Sequence, residues 1–217
     1  MPEIDEIEEQ EPWWKGPIKY ILGFFLLFII ILMVIPYTAV RLDPEPKNIP
    51  ALHSLVLNVN KTIVGNITVV SKYEYNKLLQ PNDPFVKQIA DRIVTSSCEA
   101  KRICHAKALY YFVRDSFQYV SDPYVYEYVK TAPESLVSQG GDCDDAAVLL
   151  ANLEQAVGIP TRFVFIPGHV YIQIYLPEAL RRYKDKEGWI NLDPTCSYCE
   201  FGEIPYTNID KKKTIVN

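Results

Sequence analysis

Residues 16–37 read GPIKYILGFFLLFIIILMVIPY, and no other stretch constrains this 217-residue chain as much. From Tyr20 to Ile35 the only polar group is the hydroxyl of Tyr20, and Lys19 is the one charge in the run. With its flanks the run reaches the roughly 20 residues a helix needs to cross a bilayer. Trp13, Trp14, Tyr20 and Tyr37 suit the two interfaces, and Lys19 can snorkel. A cleaved signal peptide is the competing reading. It fits poorly, because the leading region is acidic and Tyr37 stands two positions before Ala39, where a cleavage site needs a small residue. The run predicts an uncleaved single-pass anchor.

Charge explains less than its total implies. The net charge is −5, but residues 1–15 hold Glu3, Asp5, Glu6, Glu8, Glu9 and Glu11 against Lys15 alone. Without them the chain carries 21 acids and 21 bases, so no basic field argues for a nucleic-acid partner. The positive-inside count ties, with Lys15 and Lys19 at one end of the run and Arg41 and Lys47 at the other. Two glycosylation triplets, NKT at Asn60 and NIT at Asn66, and the cysteine usage below favour a cytoplasmic N-terminus and an extracytoplasmic domain. The expected organisation is an acidic tail (1–15), an anchor (16–37), a stiff Pro-rich stalk (38–50), a β-like extension (51–80) and one domain (81–217).

Within 51–80, the alternation of Leu55, Leu57 and Val59 predicts a strand, and IVGNITVV predicts a hairpin turning at Gly65-Asn66. Asp83-Pro84 starts a helix that keeps Phe85, Ile89 and Ile93 on one face. A second helix follows, with Ile103, Ala106, Leu109, Tyr110 and Val113 as its apolar stripe. DPYVYEYV reads as extended, and APESLVSQ as a short helix broken by Gly140-Gly141. DCDDAAVLLANLEQAVG is the strongest helix signal, capped by Asp142, ended by Gly158 and Pro160, and burying Ala146, Leu149, Leu150, Leu153 and Val157. TRFVFI, HVYIQIYL and WINLDPT are strand-like. Helices first and antiparallel strands after make the class α+β.

Cys143 falls in the first turn of that strong helix. There, unpaired N–H groups and the macrodipole favour a thiolate and offer donors to an oxyanion. Gly140 and Gly141 would admit a substrate backbone. Asp142, Asp144 and Asp145 oppose ionisation, and a buried structural or redox cysteine is the bland alternative. A nucleophile also needs a base with an orienting group. His169 opens one strand and Asp193 closes the next, so antiparallel pairing brings them to one edge, facing the helix start. A satisfied structural histidine and a plain Asp-Pro turn are the simpler readings of each alone. His53 and His105 are weaker candidates, and Gln139 is a candidate second oxyanion donor. The other four cysteines allow three disulfide pairings. The short-range choice joins Cys98 to Cys104 and Cys196 to Cys199, and suits an oxidising compartment. A four-thiolate zinc site is the rival. A CxxC redox pair lacks its βαβ setting.

Residues 134–195 resemble the transglutaminase-like cysteine superfamily, which shares its catalytic logic with papain-type proteases. The resemblance is carried by GGDCDDAAVLL, AVGIPTRFV, GHVYIQIY and WINLDPT, with ALYYFVRDSFQYVSD as a lead-in helix. It is closest to membrane-anchored prokaryotic or archaeal versions. It implies a papain/transglutaminase-like core, with the nucleophile helix packed on an antiparallel sheet. It further implies Cys143 as nucleophile, His169 as general acid/base and Asp193 as orienter, acting on protein or peptide amides through a thioester without a metal or cofactor. Tyr171 departs from the pattern, since many members have Trp there, and this bears on specificity. A non-catalytic binding or assembly domain that kept the fold is the alternative.

Overall fold

The computed structural model describes residues 16–56, 71–122 and 128–217. The chain divides into two units, one ending at Leu42 and the other spanning Asp43–Asn217. The first is helix α1, Ile18–Leu42. At about 1.5 Å per residue it is roughly 38 Å long, enough to span a bilayer core. None of its apolar window Ile18–Ile35 is buried, which separates it from the core helix of a soluble protein, although a signal sequence would look the same.

The second unit is mixed helix and sheet, and Asp43 already belongs to it. The Lys47 N–H donates to Ser97 O at 2.8 Å, and the buried Lys107 pairs with Asp43 and Glu45. Residues 38–42 belong to α1, and the second unit begins at Asp43.

The β-like reading of 51–80 does not hold where the stretch is described. Leu52–Val56 is a short helix, α2, and Lys72–Leu78 is a 3₁₀ helix. The buried positions explain why. Leu52 is buried with Leu55 packed beside it, and Tyr75 is buried with Leu78, so both pairs have a spacing of three rather than two. The proposed hairpin, Asn60 and Asn66 lie outside the described residues, as do residues 123–127 of the segment read as extended.

Helix α3 (Pro84–Ser97) is capped by the Asp83 carboxylate, which accepts from Phe85 N and Val86 N, and it buries Phe85, Ile89 and Ile93. Helix α4 (Arg102–Ser116) buries its whole expected stripe and, in addition, Lys107. A two-residue strand β1 (Gln118–Tyr119) pairs in parallel with β2 (Gly140–Gly141), which follows α5 (Ala132–Ser138). Helix α6 (Cys143–Ala156) comes next and ends at Gly158, whose φ of +80° suits glycine. Strands β3 (Thr161–Ile166), β4 (His169–Tyr175) and β5 (Trp189–Leu192) form an antiparallel meander. A last strand, β6 (Thr214–Val216), adds antiparallel to β3, giving the order β5-β4-β3-β6.

Alternation along the strands sets the layers. Val170, Ile172, Ile174, Ile190 and Leu192 belong to the main core with Leu149, Leu150 and Leu153 of α6. Val164, Ile166 and Tyr171 form a smaller cluster. On α6, Asn152 is buried but satisfied: it accepts from Gln80 N at 2.6 Å and donates to Leu78 O and Val148 O. The result is one helical layer, centred on α6, packed on one antiparallel sheet.

Candidate active site

The start of α6 is a reciprocal cap. Asp142 accepts from the N–H groups of Asp144 and Asp145 at 3.1 and 3.4 Å, and Asp145 accepts from Asp142 N at 3.4 Å. Asp145, fully buried, also accepts from the Lys130 N–H at 2.7 Å and from its ammonium. The two preceding glycines serve this packing. A Cβ on Gly141 would lie 2.0 Å from Asp145 Oδ2, and one on Gly140 would lie 2.8 Å from Gln118 O. The space expected to admit a substrate backbone is therefore filled by the protein itself.

Cys143 is half-buried and is the free cysteine among the described residues. Its thiol donates to Asp144 Oδ1 at 3.6 Å, and the N–H of Val170 donates to the sulfur. Burial, aided by the charges of Asp144 and Asp142, pushes the thiol pKa up to about 12, against the pull of the Val170 N–H. The displacement runs in the sense expected of the three aspartates and against that expected of the helix N-terminus. The dipole argument fails because two of the first-turn N–H groups already serve the Asp142 carboxylate. The N–H of Cys143 itself has no acceptor among the described residues.

His169 opens β4, one residue before the Val170 whose N–H meets the sulfur. Its Nε2 lies 2.8 Å from Asp193 Oδ2. Asp193 follows β5 and is buried, and its other oxygen accepts from the Thr195 hydroxyl at 2.7 Å and N–H at 3.2 Å. From α4, Tyr110 donates its hydroxyl to Asp193 O at 3.4 Å and Cys199 O at 3.0 Å, and Arg114 donates to Cys199 O at 2.8 Å. Tyr171 is buried beside His169, with ring centroids 6.4 Å apart. Its hydroxyl lacks a partner among the described residues, and burial followed by the Asp193 charge pushes its pKa up to about 12.

The weaker candidates lie on other elements. Gln139 is the C-cap of α5 with a left-handed φ of 58°, and its carbonyl accepts from Gln118 N at 3.0 Å. Its side chain makes no hydrogen bond among the described residues. His105 sits within α4, and His53 lies in α2. The four remaining cysteines form the disulfides Cys98–Cys104 and Cys196–Cys199, which leaves no thiolates for a zinc site. The sequence reading missed Tyr75, whose hydroxyl donates to Asp144 Oδ2 at 2.6 Å, and Lys130. Neither carries a local signal, since Tyr75 lies in the segment read as β-like and Lys130 acts across a loop.

A sequence model of the transglutaminase-like superfamily matches residues 87–194, a span that includes Cys143, His169 and Asp193. The search of curated proteins gave no match. Among solved structures, Legionella pneumophila LapG is 19% identical over 70% of this chain and 86% of its own, with a TM-score of 0.44. The periplasmic domain of TgpA from Pseudomonas aeruginosa, bound to ethylmercury, is 20% identical over 60% of this chain and 51% of that chain, with a TM-score of 0.39. A candidate protease from Parabacteroides distasonis is 14% identical over 55% of this chain, with a TM-score of 0.42, and the match spans a quarter (25%) of its length. Through residues 87–194, the chain belongs to the transglutaminase-like superfamily.

Proposed function

We propose that this protein is a membrane-anchored cysteine enzyme that cleaves or transfers protein or peptide acyl groups through a thioester. Cys143 is the nucleophile, His169 the general acid/base and Asp193 the orienter. The observation that carries the reading is the 2.8 Å contact of His169 Nε2 with Asp193, one residue from the N–H that meets the Cys143 sulfur. With Nε2 on the carboxylate, Nδ1 is the ring nitrogen left to take the thiol proton. Because the resting thiol is neutral, His169 removes its proton as the sulfur attacks the substrate carbonyl. The oxyanion is met by the N–H of Cys143, with the uncommitted amide of Gln139 as second donor. Collapse breaks the C–N bond, His169 protonates the departing amine, and the acyl group stays on sulfur. Water then yields an acid, or an amine yields a new amide, with His169 again taking a proton.

Helix α1 supports anchoring, and two disulfides support an oxidising compartment, with the N-terminus on the cytoplasmic side. The test is to trap the acyl-enzyme. Full-length protein in detergent is mixed with a peptide library, quenched in acid and analysed by mass. An acyl adduct on Cys143, lost in Cys143→Ala and in His169→Ala, is expected. Peptide binding without any adduct at Cys143 would instead establish a non-catalytic binding domain.

A further inference from the structure

Cys143 is a half-buried free thiol in a domain that holds two disulfides, so it sits where oxidants reach it and still has to stay reduced. The acceptor of its proton among the described residues is a carboxylate. Asp144 is buried next to it, receives the thiol at 3.6 Å on Oδ1, and is gripped on Oδ2 by the Tyr75 hydroxyl at 2.6 Å. Tyr75 is itself fixed, packed edge-on against Phe163 and Phe165 with centroids 5.4 and 4.9 Å away. The hydroxyl so placed favours the carboxylate orientation that faces the sulfur.

We propose that Asp144, clamped by Tyr75, is a positioning residue that keeps Cys143 a neutral thiol until substrate arrives, and thereby guards it from oxidation. This rests on the catalytic reading above and adds to it a control of the resting state. The thiolate is the form that reacts with peroxide: sulfur attacks one oxygen, the O–O bond breaks, a sulfenic acid forms and hydroxide leaves. Suppressing the thiolate suppresses that reaction, while attack on a bound carbonyl proceeds because His169 takes the proton in the same step. The other ionisable groups around the sulfur fit this balance. Asp142 on α6 adds negative charge, Lys130 is engaged by Asp145, and the His169 ring on β4 is engaged by Asp193. The upward displacement of the thiol pKa agrees in sign.

The experiment measures iodoacetamide modification of Cys143 against pH, and sulfenic acid formation in hydrogen peroxide, on full-length protein in detergent. Asp144→Asn keeps the shape and the acceptor for Tyr75 but removes the charge. It should move the alkylation profile to lower pH by about one unit, making modification at pH 7.5 and peroxide oxidation roughly tenfold faster. Tyr75→Phe removes the hydroxyl that holds Asp144 Oδ2, frees the carboxylate to turn from the sulfur, and should speed alkylation above wild type, by less than Asp144→Asn does. If Asp144→Asn does not fold, Tyr75→Phe decides alone. A profile unchanged in Asp144→Asn, or labelling no faster than wild type in Tyr75→Phe, overturns the guard and leaves the catalytic reading intact. Acyl-enzyme formation that survives His169→Ala, with the Asp144→Asn shift still present, overturns the catalytic reading instead.

Discussion

Thr195 holds Asp193 with both its hydroxyl and its N–H, so the carboxylate oxygen turned away from His169 is as firmly placed as the one turned toward it. Replacing Thr195 by Val keeps the shape and the N–H and removes one hydrogen bond, worth about 1 kcal/mol. Because that bond acts through Asp193 on the imidazole, the expected loss is roughly fivefold in kcat with KM little changed, since 1 kcal/mol is about that factor in rate. Steady-state kinetics on a peptide identified by trapping would check it. An equal change in KM would mean the residue shapes the substrate cleft instead. At this scale the motif residues are legible because each sits at an element boundary that the sequence marks: a cap for Cys143, a turn before His169, an Asp-Pro after β5. What surrounds them is not. The Tyr75–Asp144 contact joins residues 69 positions apart, and no local pattern encodes it. The upward displacement of the Cys143 pKa comes first from burial and then from the Asp144 charge; the charge is visible at the helix start, but the burial is not.

Among the elements, α6 combines the clearest sequence signal with the least expected energetics. Caps, small residues and periodicity announce the helix, but Glu154 on it is fully buried with no hydrogen-bond partner on either carboxylate oxygen among the described residues. Burial raises its pKa well above the ordinary 4.5. A folded-state value above the unfolded one means that this site's stability is full below about pH 4.5 and is lost as pH rises toward the folded value. Glu154→Leu removes that dependence and the buried polar group. The variant should be more stable than wild type by about 1–3 kcal/mol at pH 8, and by less at pH 5. Thermal melts at the two pH values measure the difference. An equal shift at both would mean packing, not ionisation, is responsible. Helices and strands with strong period or caps are readable, whereas Leu52–Val56 and Lys72–Leu78 are misread because there the core selects positions three apart.

The second unit as a whole is held at its first residues by a buried lysine that composition gives no reason to expect. Lys107 projects from α4 to Asp43 and Glu45, with its ammonium 5.0 Å from the Tyr183 ring centre and 5.8 Å from that of Phe201. Asp43 also accepts from the Tyr183 hydroxyl at 2.7 Å and pairs with Arg182. Burial works to raise the Asp43 pKa, but the hydrogen bonds from Lys107 and Tyr183 hold it below the ordinary 3.8. A depressed folded-state value contributes stability above the unfolded value and loses it as pH falls through the folded one, so this clasp opens only in strong acid. Removing one partner of a buried pair costs about 3–5 kcal/mol. Lys107→Met belongs at the low end, about 3 kcal/mol, because Asp43 keeps Arg182 and Tyr183 while Glu45 is 60% exposed and can hydrate. The loss should also be local. Lys47, whose N–H is bonded to Ser97, would lose its neighbours' hold and become a faster trypsin site. Limited proteolysis of full-length protein should therefore release the domain sooner in Lys107→Met, alongside a lower melting temperature. A lower melting temperature with unchanged cleavage at Lys47 would mean that Lys107 stabilises the core without fastening residues 43–47.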